Sequence, residues 1–436
     1  MPSAPGYRLP QLLLPRPGLD LARWAVIACD QYTAQPEYWH EVERIVGDAP
    51  STLQLIFPEV YLGQPDAPAR IARIQQAMRR TVEQGLLQPH DGAVYVERRI
   101  GQRVRRGLML ELDLEHYDFR PESTSLIRPT EGTIVARLAP RIEVRREAEL
   151  ELPHILVLVD DAAGTVIEPL GAERAQLQPL YATELMLGGG QVAGFAVDAV
   201  RAARALQALA ALGDARAFAA RYGVAEGTPP MLFAVGDGNH SLATAKAIWE
   251  QRKTEVGPTH PSRWALVEVE NIHDPALEFA PIHRLLLGVR ADLRAALAQA
   301  FGHRLRVHEV ASAQALRDRV QAAPAALQCV GLIEPGGRFA VAELSEAPQA
   351  LAVGSWQPVI DRFVAEGGAT EVDYVHGDDA LEQLAQRQGH LGLHFPTVAK
   401  GELLKRVVHG GPLPRKTFSM GEADEKRFYI EARRIR

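Results

Sequence analysis

Apolar residues recur along this chain with two distinct periods. In "ARIARIQQAMRRTVEQGLL" (69–87), Ile71, Ile74, Met78, Val82 and Leu86 fall three or four apart, the spacing of one helix face. "PEYWHEVERIVGD" (36–48) also predicts a helix, with Pro36 in its first turn and Gly47 at its end. Other stretches are short unbroken apolar runs, which predict buried strands. These are "WAVIACD" (24–30) and "HILVLVDD" (154–161), both ending in acids; "RWALVEVEN" (263–271) reads as a further strand. "AVYVERRIGQRVRRGLMLELDL" (93–114) predicts a hairpin turning at Gly101-Gln102, its basic residues forming a solvated face. The Ala-rich stretch 196–223 keeps helical spacing and predicts packed helices broken near Gly213-Asp214. Beyond residue 285 the pattern gives helix (291–301), strand (304–310), helix (312–322) and strands near 327–333 and 338–344. Residues 1–20, punctuated by proline, read as an irregular lead-in.

Strands alternate with helices throughout, without an internal repeat, so the expected class is α/β or mixed α+β. The style of the chain changes after "PIHRLLLG". That suggests a main α/β domain over 1–287, holding nearly all the acid, His and Arg clusters, and a C-terminal α/β domain over 288–436. A length of 436 residues fits two or three domains. Lys+Arg 48 against Asp+Glu 54 leaves a net charge of −6, without the basic excess that marks nucleic-acid or membrane binding, so neither partner is expected. The 2 cysteines, Cys29 and Cys329, allow no disulfide framework and fit a reducing cytoplasm. The LLL run near the start is too short and too Pro-rich for a signal peptide, and no apolar stretch approaches membrane-spanning length. A cytoplasmic location is therefore the expectation.

The most informative stretch is "MLFAVGDGNHSLATAKAIW" (231–249). An apolar run stops at Gly236; Asp237, Gly238, Asn239, His240 and Ser241 follow; then a helical pattern begins. A strand, a glycine turn and a helix start form a generic anion site, because the helix N-terminus offers unpaired N–H groups. Three readings stand open. The glycines serve the turn alone, with Ser241 or Asn239 as the cap and His240 on the surface. Or "GDGNHS" is a dinucleotide fingerprint one glycine short, as in a dinucleotide-dependent oxidoreductase. Or the turn is a phosphate loop that takes part in chemistry, with Asp237 holding Mg²⁺ or accepting a proton and His240 touching a phosphate oxygen.

The turn resembles the D-G-x-H-R motif of free-serine kinases of the ParB/sulfiredoxin superfamily. More broadly the chain resembles the family known as domain of unknown function 1015. "ACDQYTAQPEYW", "GDGNHSLATA", "ENIHDPALEFAPIHRLL" (270–286) and "PTVAKGELLKRVVHGGPLPRKTFSM" (396–420) carry that second resemblance. It implies a ParB/sulfiredoxin-like nucleotide-site core and a nucleotide-dependent small-molecule phosphotransferase. ATP or ADP with Mg²⁺ would be the donor and the hydroxyl of a serine-like metabolite the acceptor. A non-catalytic nucleotide-binding regulator of ParB type is the alternative. Asp237, Gly238 and His240 match the motif. Ser241 stands where it has Arg, which removes a bidentate phosphate contact. Asn239 stands where sulfiredoxins have their catalytic Cys, which removes the thiol chemistry.

Other clusters supply candidates for the missing charge. Arg137, Arg141 and Arg145 recur at spacing four with Arg146 adjacent, although Pro140 argues against an unbroken helix. A solvated face paired with Glu143 and Glu147 is the alternative. The family resemblance nominates Arg128, Glu131, Thr133, Arg141 and His154 as pocket residues. Asp30 ends an expected strand, and in open α/β sheets that edge binds ligands; a capping role is the alternative. His283 and Arg284 after Pro281 resemble a family signature and join the pocket candidates, while His273 and His283 are ten apart, not a helical metal spacing. In the resulting expectation Asp30 or Glu131 accepts the hydroxyl proton and Asp237 holds Mg²⁺ or serves as alternative base. Gly236, Gly238, Asn239, His240 and Ser241 hold phosphate with Arg128 and Thr133. Arg141 and Arg145 offset the developing charge.

Overall fold

A computed structural model describes residues 6–33, 35–324 and 326–436; the first five residues of the expected lead-in and Ala34 of "ACDQYTAQPEYW" lie outside them. The chain forms two compact units, one of Met1–Leu277, Leu404–Pro412 and Gly421–Arg436, the other of Glu278–Leu403 and Leu413–Met420. Both are mixed α/β, each around its own sheet. Their division differs from the expected 1–287 and 288–436 in three respects. Strand Phe279–Leu287 belongs to the second unit, and Leu404–Pro412 and the last sixteen residues return to the first.

The first unit carries a nine-stranded sheet. Its order is Gln178–Glu184, Gln191–Ala196, Val94–Ile100, Arg103–Asp113, Trp264–Asn271, Leu156–Val159, Phe233–Asp237, Ile127–Pro129, with Tyr7–Arg8 paired to Arg103–Asp113. Most neighbours are antiparallel; Trp264–Asn271 runs parallel to Leu156–Val159, and Phe233–Asp237 parallel to Ile127–Pro129. Successive side chains of a strand point to opposite faces. Val94, Val96 and Leu266 therefore join one buried cluster with Trp24, Trp39 and Met78, while Tyr95, Ala265 and Val267 join another with Phe233, Leu242 and Trp249.

The helical periods hold. Helices span Pro36–Val46, Ala67–Glu83, Ala199–Leu212 and Ala215–Tyr222, the last two separated at Gly213-Asp214, where the Asp214 side chain caps the second. The hairpin turns at Gly101-Gln102. Two expectations fail near the start. The lead-in holds strands Tyr7–Arg8 and Gln11–Pro15. "WAVIACD" forms no long strand: helix Leu21–Trp24 is followed by the two-residue strand Val26–Ile27, which pairs with Phe428–Tyr429 outside the large sheet. An apolar run of that length fits a buried corner as well as a strand, and the Asp20 side chain caps a helix there.

The second unit holds a seven-stranded sheet in the order Leu305–Val310, Arg338–Ser345, Leu327–Glu334, Leu391–His394, Phe279–Leu287, Glu371–His376, with Phe418–Met420 paired to Phe279–Leu287. Helices Leu293–Phe301 and Ala313–Gln321 stand where the pattern put them, capped by the side chains of Asp292 and Ser312. Among the described residues no helix is long and apolar enough to cross a membrane.

Candidate functional site

Strand Phe233–Asp237 leaves the sheet through a register shift at Gly236, and helix Asn239–Val256 begins two residues later. Gly238 makes the turn at φ 78°, the left-handed region that favours glycine. A Cβ there would lie 3.0 Å from Ile155 Cγ1 and 3.1 Å from Ile155 Cα. No side chain caps this helix, so its N-terminal N–H groups face outward with the positive end of the helix dipole. Asn239 donates its amide to Val235 O at 3.4 Å, and His240 Nε2 accepts from Ile134 N–H at 3.3 Å.

That last contact ties the loop carrying Glu131 and Thr133 to the turn. Strand Ile127–Pro129 runs parallel to Phe233–Val235, and Thr130 Oγ1 donates to Val235 O at 2.6 Å. Glu131 is half-buried on this loop, and Thr133 lies beside the Tyr117 hydroxyl. Arg128 turns its guanidinium to backbone carbonyls. It is buried, donating Nε to Ser125 O at 2.8 Å and Nη2 to Pro229 O at 2.9 Å, and so clamps two loops.

Asp237 Oδ1 accepts its neighbour Gly238 N–H at 2.9 Å, and Oδ2 faces Lys426 Nζ at 3.3 Å. The carboxylate expected to hold Mg²⁺ thus already has an ammonium as its cation. Asp30 belongs to the same group of charges, although it lies past the short strand and not at an open sheet edge. Burial pushes its carboxyl up, but positive charge at His154, a hydrogen bond from Gln31 Nε2 at 3.0 Å and the Lys426 ammonium outweigh burial and hold it below the usual range.

Beside the turn opens a cavity of about 140 Å³. Ser241, His154, Tyr429, Cys29, Glu59 and Arg141, with Arg145, Glu151 and Thr244, supply its polar lining, and every residue of its wall belongs to the first unit. Ser241 Oγ lies 2.7 Å from His154 Nε2, His154 Nδ1 lies 2.9 Å from the Tyr429 hydroxyl, and that hydroxyl accepts Cys29 N–H at 3.1 Å. The Ser241 proton points onward in either state of His154: protonated, both ring nitrogens donate; neutral, the Tyr429 hydroxyl donates to Nδ1, a stronger acceptor than the Cys29 sulfur, and Nε2–H donates to Ser241. Burial pushes the Cys29 thiol far up, so it is no thiolate nucleophile.

The arginines expected to meet phosphate are engaged. Helix Leu138–Arg146 contains Pro140 in its first turn, where the missing N–H costs nothing. Arg141 and Arg145 both reach the cavity wall. Arg141 pairs with Glu59 at 2.5 Å and Arg145 with Glu151 at 2.5 Å, while Arg146 pairs at the surface with Glu143. Burial and the nearby Asp30 push the Glu59 carboxyl up to about 7 against the pull of Arg141.

A model of the family described as "Protein of unknown function (DUF1015)" matches residues 13–363. The chain belongs to this family. No curated protein matches this DUF1015 chain. Among solved structures it is similar to a free serine kinase mutant in complex with AMP, with a TM-score of 0.39, 12% identity, and coverage of 74% of this chain and 90% of that one. A mutant of that kinase in complex with ADP gives a TM-score of 0.38 at 12% identity, covering 74% and 91%. C-terminally truncated SbnI from Staphylococcus aureus gives 0.33 at 14%, covering 72% and 83%.

In this DUF1015 protein the fold therefore gathers Asp30, His154, Asp237, His240, Ser241, Arg141 and Arg145 around one turn and cavity. It adds four residues that sequence reasoning missed: Cys29, Glu59, Lys426 and Tyr429. "ADEKRFYIEARRIR" at the C-terminus, dense in charge for a segment with so many apolar residues, was the available signal for the last two.

His283 and Arg284 stand apart in the chain's division, in the second unit. Both are buried there, and Arg284 Nε donates to Gln357 Oε1 at 2.7 Å. His283 Nε2 and His394 Nε2 approach Asp378 Oδ1 at 2.9 and 3.1 Å, a grouping of metal-ligand type. Phe395 N–H, however, donates to His283 Nδ1 at 3.1 Å. A neutral imidazole has one lone pair, so Nε2 carries the proton, donates it to Asp378 and has nothing to offer a metal.

Proposed function

We infer that the turn 236–241 binds the phosphates of ATP or ADP and that the protein transfers a phosphoryl group to the hydroxyl of a small metabolite. This makes the first unit a nucleotide-site core of the ParB/sulfiredoxin-like kind that the D-G-x-H motif suggested. The observation that carries the reading is the uncapped helix N-terminus at Gly238, flanked by the Lys426 ammonium and the Ser241–His154 relay and opening beside a cavity. An anion fits there and a neutral group gains little. Ser241 donates to a phosphate oxygen, and Lys426 takes the place of the arginine absent from the motif.

In the reaction the acceptor oxygen attacks the terminal phosphorus. The new O–P bond forms as the bridging P–O bond breaks, its electron pair leaves on ADP or AMP, and the hydroxyl proton passes to a carboxylate. Glu59 suits that last role better than the expected Asp30 or Glu131. It lines the cavity, and its carboxyl lies near 7, where a base is both free and strong enough. Asp30, held low, stays ionised. Asp30 and Asp237 share the Lys426 ammonium, so they would hold Mg²⁺, a cation that binds through one or two carboxylates plus substrate phosphates, only once that ammonium turns to the incoming phosphates. When bound, Mg²⁺ would neutralise charge on the transferring group.

The test is nucleotide consumption with a pool of small hydroxy compounds, followed over pH. Activity is expected to rise through about pH 7 as Glu59 ionises. Glu59→Gln should lower kcat by roughly 10²–10⁴ and remove that limb, with nucleotide affinity little changed. Nucleotide binding without any phosphorylated product, across a broad pool, would sink the kinase and leave a nucleotide-binding regulator.

A further inference from the structure

We propose that the cavity beside Ser241 takes the aliphatic body of the acceptor, so that the substrate is an alcohol carrying a branched or extended apolar group and not serine itself. The chemistry in this proposal rests on the phosphoryl-transfer reading; the binding does not. Apolar residues, among them Leu55, Ile56, Leu62, Met78, Val144 and Leu150, form the greater part of the wall. One connected polar group meets the turn; the other polar residues of the wall are satisfied among themselves, Arg145 by Glu151 and Thr244 by His240 O. Glu59 N–H bonds Cys29 O at 2.7 Å, Arg141 holds Glu59, Cys29 N–H bonds Tyr429, and Tyr429 bonds His154, which bonds Ser241. The occupant therefore needs one polar end and one apolar body. Serine has a polar group on every side and would leave the apolar wall unfilled and its own charges unpaired.

Size and position select the acceptor over the nucleotide. At roughly 10–15 Å³ for each water-sized centre, about 140 Å³ holds on the order of ten heavy atoms, too few for a nucleotide. A nucleobase alone would fit, but a ribose separates it from the phosphates. Ser241 belongs both to the turn and to the cavity wall, so whatever fills the cavity abuts the phosphate end. That is the place of the group receiving the phosphoryl.

The test is isothermal titration of the full chain with two homologous series, lactate, α-hydroxyvalerate and α-hydroxyisocaproate, and alaninol, valinol and leucinol, beside serine, with and without AMP. In at least one series affinity should rise about fourfold per added methylene, the equivalent of ~0.8 kcal/mol, with serine weakest. Val144→Phe, which fills the cavity, should abolish that dependence while AMP still binds. A flat series, a preference for serine, or loss of AMP binding in a folded Val144→Phe protein would overturn the proposal, the last by placing the base in the cavity. A steep series without phosphoryl transfer would keep the cavity assignment and remove the kinase.

Discussion

At the scale of single residues, the turn depends on Gly238 more than on any other glycine of the motif. Its φ of 78° is strained for any residue with a side chain, and a Cβ 3.0 Å from Ile155 Cγ1 would be too tight without a small shift of that neighbour. Gly238→Ala is therefore expected to cost about 1–3 kcal/mol from the left-handed backbone and the overlap together, read as a lower urea midpoint at unchanged slope. A loss below half a kcal/mol would mean that the turn relaxes. Gly236 has a different task, at the register shift where the strand leaves its neighbour. The spacing of these two glycines was legible because backbone conformation is a local property. The partners of Asp237 and Ser241 were not, because Lys426 and His154 are distant in sequence and nothing local encodes the meeting.

At the scale of elements, periodicity carried the reading wherever one face of an element is buried, as in Ala67–Glu83 with Ile74 and Met78 inward. It failed for "WAVIACD", where every residue from Trp24 to Ala28 is buried and no alternation remains to separate strand from corner. Two adjacent strands of the second unit show what pattern cannot encode. Phe279–Leu287 and Leu391–His394 pair so that His283 and His394 stack with ring centroids 4.4 Å apart over Asp378. Burial lowers the pKa of His283, and the two imidazoles hold Asp378 well below the usual carboxylate range. Both shifts mean that the unfolded chain binds more protons than the folded one, so stability rises with pH. The His283 contribution is complete above 6.5 and is lost as pH falls below it; that of Asp378 is lost only below 3.8, toward its folded value. Hydrogen exchange at the Phe279–Leu287 amides, corrected for intrinsic rates, should accelerate between pH 7.5 and 5.5. Replacing Asp378 by Asn should leave that step in place, because His283 causes it; equal protection at both pH values would remove His283 as its source.

At the scale of the whole molecule, the C-terminal residues decide whether the site exists. Phe428–Tyr429 pairs with Val26–Ile27, which brings Tyr429 and Lys426 to Asp30 and the turn. The same segment drives arginines into the sheet of the first unit. Arg427 meets Glu268 and Glu431, and Arg433 lies 3.0 Å from Glu151, all of them nearly inaccessible to solvent. Charges buried at this depth cost several kcal/mol each to desolvate, and the pairs repay that only while both partners are present. The strand "RWALVEVEN" was legible in the sequence, but nothing local shows that Glu268 and Glu270 are buried in ion pairs, because Arg427 and Arg105 lie far along the chain. Arg427→Met keeps much of the packing and leaves Glu268 without its ion-pair partner, while Glu431 also loses Arg427 but keeps the Tyr181 hydroxyl. It is expected to destabilise the first unit by roughly 3–5 kcal/mol, and a second change, Glu268→Gln, should recover a large part of that loss by removing the orphaned charge. If the double variant is no more stable than the single one, the arginine acts through its hydrogen bond to Pro153 O at 3.0 Å and through packing, and the buried pair is not what holds the C-terminus against the site.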